Sequence, residues 1–67
     1  MNKDIFEGKW EQLKGAVREK WGDLTDDDVA QINGNREKLL GKIQEAYGRS
    51  REAAEQEVKE WEKESRV

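Results

Sequence analysis

The side chains of this sequence that could break a bond or hold a metal ion are few. They are the hydroxyls of Thr25, Ser50 and Ser65 and a set of carboxylates that includes the run Asp26-Asp27-Asp28. A nucleophilic hydroxyl needs a base beside it, and the chain has neither histidine nor cysteine from which a triad or dyad is built. Thr25 and Ser50 stand where helix N-caps are required, and Ser65 lies beyond the last apolar position. A catalytic carboxylate is normally tuned by burial or by a specific partner, whereas almost all the acidic residues here fall off the apolar stripes of the sequence. The aspartate run does not suit a cation either. Calcium loops alternate their oxygen ligands, and three consecutive residues of a helical turn fan out by about 100° each. Stabilisation of a helix N-terminus is the simpler chemistry for these carboxylates. No enzymatic activity, cofactor or metal site is expected.

The cations form a second set. Lys14 and Arg18 share one helix face, as do Lys38 and Lys42, and such pairs raise the question of nucleic acid. Helical hairpins that bind DNA offer a glycine-rich turn whose amides point at phosphate. The corresponding segment here is Leu24-Thr25-Asp26-Asp27-Asp28, which puts negative charge in that place. The formal net charge is −3, from 13 basic and 16 acidic residues, opposite to the usual nucleic-acid footprint. Weak nucleic-acid association is therefore the alternative reading, and solvated helix faces are the expected role of the basic pairs.

Gly15 and Gly41 are harder to account for. Each sits in the middle of a helical pattern, where glycine costs about 1 kcal/mol relative to alanine. Both project about 150° away from the apolar stripe of their helix. Close crossing by a neighbouring helix is the expected reason; a flat patch for a protein partner is the alternative. Gly15, Gly41, Lys14, Arg18, Lys38 and Lys42 together define the candidate interaction surface.

Those residues need a scaffold, and the apolar periodicity supplies one. Phe6, Trp10, Leu13, Val17 and Trp21 recur at helical spacing and predict one helix from about Asp4 to Trp21, closed by a left-handed Gly22. Thr25 caps a short second helix that buries Val29 and Ile32 and ends at Asn33-Gly34. Asn35 caps a third, with Leu39, Leu40, Ile43 and Tyr47 on its stripe and Gly48 after it; Ser50 caps a fourth, carrying Ala54, Val58 and Trp61. The pairs Glu45–Arg49, Glu55–Lys59 and Glu62–Arg66 stand at i,i+4 with the acid first, an arrangement that favours helix. Trp10, Trp21, Tyr47 and Trp61 all lie on stripes, so core packing is expected of them in preference to stacking on a ligand.

The segment Trp10–Gly22 repeats as Arg36–Gly48, with Glu11/Glu37, Leu13/Leu39, Gly15/Gly41, Glu19/Glu45 and Gly22/Gly48 identical. The 67 residues thus read as a single all-α domain of two helical hairpins, about 4–33 and 35–64, packed face to face around the tryptophans. Charged residues make up 43% of the chain and hydrophobic ones 33%, so a core this small depends on its aromatics, each able to bury roughly 150–250 Å². The longest apolar run is two residues, too short for a membrane span, and a cytoplasmic monomer is expected.

The run Gly8-x-Trp10-x-Gln12-x-Lys14-Gly15, followed by Trp21-Gly22-Asp23-Leu24-Thr25-Asp26-Asp27-Asp28, resembles the CsbD-like family of small bacterial stress proteins. Leu39-x-Gly41-Lys42-Ile43-Gln44-Glu45-x-Tyr47-Gly48 continues the match. The resemblance implies four helices in two orthogonally packed hairpins, similar to the SAM-domain fold. It also implies a bacterial cytoplasmic protein induced by general stress or entry into stationary phase. It brings no catalytic or binding residues with it.

Overall fold

The computed structural model describes the backbone of residues 3–64 and the side chains of residues 5–64. The chain is all-helical: α1 (Lys3–Gly8), α2 (Trp10–Lys20), α3 (Asp26–Ile32), α4 (Arg36–Tyr47) and α5 (Arg51–Glu64). Three of the anticipated caps form. Thr25 and Asp28 make a reciprocal capping box at α3, the Asp28 amide donating to Thr25 Oγ1 at 3.1 Å and the Thr25 amide to Asp28 Oδ2 at 3.0 Å. The Asn35 side chain accepts from the Lys38 amide at 3.2 Å, and Ser50 Oγ from the Ala53 amide at 3.2 Å. Gly48 closes α4 in the left-handed region at φ 63°.

Two expectations about helix ends fail. The single helix predicted from Asp4 to Trp21 is broken at Lys9, giving five helices among the described residues in place of four. Lys9 keeps its bond to Ile5 O at 3.0 Å, but at φ −103°, ψ 8° it leaves helical geometry. Its carbonyl then accepts from both Gln12 (3.0 Å) and Leu13 (2.9 Å) as α2 starts afresh. The bend brings Phe6 into the core and tilts its ring at 42° to Trp10, with centroids 5.7 Å apart. At the other end of α2, Gly22 is not left-handed. Trp21 ends the helix at φ −117°, ψ 76°, and its carbonyl takes the Leu24 amide at 3.0 Å, so the chain turns through residues 21–24 with the indole fixed inward.

The break at Lys9 has its counterpart in the α3–α4 turn. Asn33 (φ 41°) and Gly34 (φ 82°) are both left-handed, and Gly34 lies against the α1–α2 joint. A Cβ on Gly34 would meet Glu7 Cα and Trp10 Cβ at 3.4 Å each. Gly34→Ala would fill that space and pay the left-handed penalty of a residue with a Cβ. We expect a loss of about 1.5 kcal/mol, or a melting temperature lower by roughly 10 °C. Thermal unfolding followed by far-UV circular dichroism checks this, and an unchanged midpoint would refute the close approach.

The helices enclose one core. Its members are Phe6, Trp10, Leu13, Val17, Trp21, Leu24, Val29, Ile32, Leu39, Leu40, Ile43, Ala54, Val58 and Trp61, with Ala16 and Tyr47 packed at its margin. All three tryptophans are buried, as their stripe positions anticipate. Trp21 and Trp61 meet edge to face at 5.3 Å and 67°. The Trp21 indole Nε1 donates to Glu57 Oε1 at 2.9 Å, and Arg49 Nε reaches Glu57 Oε2 at 2.6 Å. Arg49 therefore pairs with Glu57 and not with Glu45: α4 has already ended at Tyr47, so residues 45 and 49 share no helical face. Glu62 turns inward to Arg36; its expected partner Arg66 lies outside the described residues, as does Ser65. The Glu55–Lys59 pair does not form among the described residues.

Candidate interaction surface

The six residues singled out from the sequence come together around α3. Lys14, Gly15 and Arg18 line an open groove between α2 and α3, whose far wall is Asp26, Val29, Ala30 and Asn33. Lys38, Gly41 and Lys42 line a second one between α4 and α3, with Gln31 opposite and Glu45 at its edge. Each has a volume of about 460 Å³. The internal repeat thus places its matched glycines on the floors of two grooves that share α3 as a wall.

These glycines do not accommodate a crossing helix. A Cβ built on Gly15 or on Gly41 has no neighbour within 4 Å, so close crossing, the expected reason for both, is ruled out. The position of tight approach in this fold is Gly34, which reads in the sequence only as the end of a helix.

The cations of the grooves are mostly matched within the protein. Lys14 Nζ lies 2.9 Å from Glu11 Oε2 in the same helix, and Arg18 is ion-paired to Asp26 across the groove. Lys42 Nζ lies 3.4 Å from Asp28 Oδ1 and donates to Gln31 Oε1 at 2.6 Å. Lys38 has no acidic group within ion-pair distance among the described residues. Arg18–Asp26 and Lys42–Asp28 therefore strap the seven-residue α3 to the longer helix on either side. Hydrogen bonding from the Thr25 backbone holds the Asp28 carboxyl below the ordinary aspartate range, and Lys42 lowers it further. Asp26 and Asp28 of the aspartate run and Arg18 and Lys42 of the basic pairs, which look like separate features in the sequence, meet as cross-helix contacts. An acidic run placed between two repeat units that each carry a basic pair is the signal that would have joined them.

Among the described residues the two candidate hydroxyls are engaged as helix caps. The Thr25 and Ser50 hydroxyls accept from backbone amides at their helix starts. The charged network around Trp21, Glu57 and Arg49 lies at the core margin and holds α5 in place. No helix among the described residues is long and apolar enough to cross a membrane.

Comparison with known proteins agrees with the motifs. The CsbD-like family model matches residues 4–56. A UPF0337 protein of Pectobacterium atrosepticum is 58% identical over 62 residues, covering 92% of this chain and 90% of the relative. A UPF0337 protein of Protochlamydia amoebophila is 57% identical over 61 residues, covering 91% and 92%. The UPF0337 protein YjbJ of Escherichia coli K12 is 56% identical over 62 residues, covering 92% and 90%. No solved structure matches the chain significantly. With the family model spanning both glycine-bearing repeats and relatives this similar over nearly the whole length, the chain belongs to the CsbD-like family.

Proposed function

We propose that this chain is a small cytoplasmic bacterial stress-response protein that acts without turnover, by holding a protein partner against the two grooves that flank α3. The observation that carries this reading is the openness above Gly15 and Gly41. Glycine in a helix interior costs about 1 kcal/mol relative to alanine. Among the described residues nothing offsets that cost, because no neighbour occupies the space a methyl group would take. A partner that approaches the backbone closely at both grooves supplies the missing reason. Nucleic acid draws less support, since three of the four groove cations already face internal carboxylates. The same reading takes α1–α3 (about 4–33) and α4–α5 (about 35–64) as the two hairpin units, crossing orthogonally in the SAM-domain manner, and the chain as a monomer at rest.

The Gly15→Ala, Gly41→Ala double variant tests it. It should be more stable by about 1–2 kcal/mol, raising the melting temperature by roughly 5–15 °C. As bait in stressed cells it should lose the protein that the unaltered chain retains. A double variant that melts higher and retains the same partner would end this reading of the grooves.

A further inference from the structure

We propose that α5 is an exchangeable element, and that a second copy of this chain can dock its own α5 on the face of α4, giving a reciprocal dimer. The argument starts from which helices touch. α1 contacts α2 and α4, and α3 contacts α2 and α4, so the first four helices form a closed ring. The backbone of α5 runs beside α4 alone, while its Glu57 and Trp61 side chains reach across to Trp21. As the last described helix, with one backbone neighbour, it can be exchanged while the ring of the other four stays closed.

The contacts of α5 are self-contained and portable. Ala54, Val58 and Trp61 form its buried apolar face. Glu57 receives the Trp21 indole, Glu62 takes Arg36, and Arg51 Nη2 reaches Glu37 Oε2 at 2.7 Å. A second copy carries the same groups in the same order and reproduces every one of these contacts. Exchange of an identical element is an inexpensive route to a dimer for that reason.

The joint that decides between the two forms is short. Only residues 48–50 separate α4 from α5, and the turn depends on Gly48 at φ 63°. A Cβ there meets nothing within 4 Å. Gly48→Ala therefore introduces no clash and acts through the backbone: it disfavours the left-handed turn and favours helix continuing from α4 into α5. In the unaltered chain the tether keeps the effective concentration of its own α5 high and holds the closed form.

The chain has no native cysteine, so the exchange can be trapped. Two variants are prepared in the Gly48→Ala background, one with Glu37→Cys and one with Arg51→Cys, both at exposed positions. They are mixed at high concentration, returned to native buffer and treated with a short bismaleimide. The expected result is a doubling of mass by light scattering that grows with concentration. The cross-linked product should join one chain of each kind. A Gly48→Ala chain that stays monomeric at every concentration would overturn the proposal, as would a dimer whose cross-links join only like chains. Should Gly48→Ala fail to fold, the two cysteine variants are made with Gly48 retained, mixed at the midpoint of urea unfolding and refolded at high concentration. The same mixed product is expected there, and its absence overturns the proposal equally.

Discussion

Trp21→Ala is expected to leave the chain largely unfolded in buffer at physiological temperature. The indole is 1% exposed, meets Trp61 edge to face at 5.3 Å and donates to Glu57 at 2.9 Å. Truncating a buried tryptophan to alanine costs about 3–5 kcal/mol. A chain of 67 residues has, at about 0.05–0.15 kcal/mol per residue, roughly 3–10 kcal/mol in all. At the middle of both ranges the loss takes more than half of the total. Trp21→Phe is the milder change: it keeps an aromatic ring but removes the N–H that Glu57 accepts together with part of the ring volume, at a cost of about 1–3 kcal/mol. Equilibrium urea unfolding of the three proteins should rank them wild type, Trp21→Phe, Trp21→Ala. If Trp21→Ala unfolds at the wild-type midpoint, the tryptophan pair does not organise the core.

The parts of this fold that follow from short-range chemistry could be read from the residues, and the parts set by distant contacts could not. Thr25, Asn35 and Ser50 cap because a hydroxyl or amide side chain at a helix start finds an amide three residues on. Phe6, Trp10, Leu13, Val17 and Trp21 are all buried, as one stripe demands, yet that stripe runs without interruption through Lys9 and hides the break. The bend lies at the approach of Gly34, far along the chain, which no local spacing reports. Leu24 enters the core from a turn and belongs to no stripe. For the interaction surface, the glycine positions were visible as a repeat, but whether space above them is filled depends on where α3 lies. Glu62 misled for a different reason. Arg66 offered it an adequate partner four residues away, and helical spacing cannot tell that arrangement from an inward-facing carboxylate.

That carboxylate carries the second large effect. Arg36 occupies the position in the second repeat that Trp10 holds in the first. It fills the place with an ion pair in which Arg36 Nε lies 3.2 Å from Glu62 Oε2, the side chains being 19% and 5% exposed. The guanidinium also places Nη2 3.3 Å from Glu62 Oε1, so both carboxylate oxygens are satisfied. Removing the cation strands a charge in the core margin, whereas removing the anion leaves an arginine long enough to reach water. Arg36→Met is thus expected to cost about 2–3 kcal/mol, a little under the range for a fully enclosed pair because water still reaches the guanidinium edge. Glu62→Leu should cost about 1 kcal/mol, and the double variant should return close to wild type, since two apolar side chains need no solvation. Urea unfolding of the four proteins closes the cycle. The signature is non-additivity: the double variant must be more stable than Arg36→Met alone. Simple summation of the two losses would mean that the pair is solvated and that α5 is held by its apolar face, not by this contact.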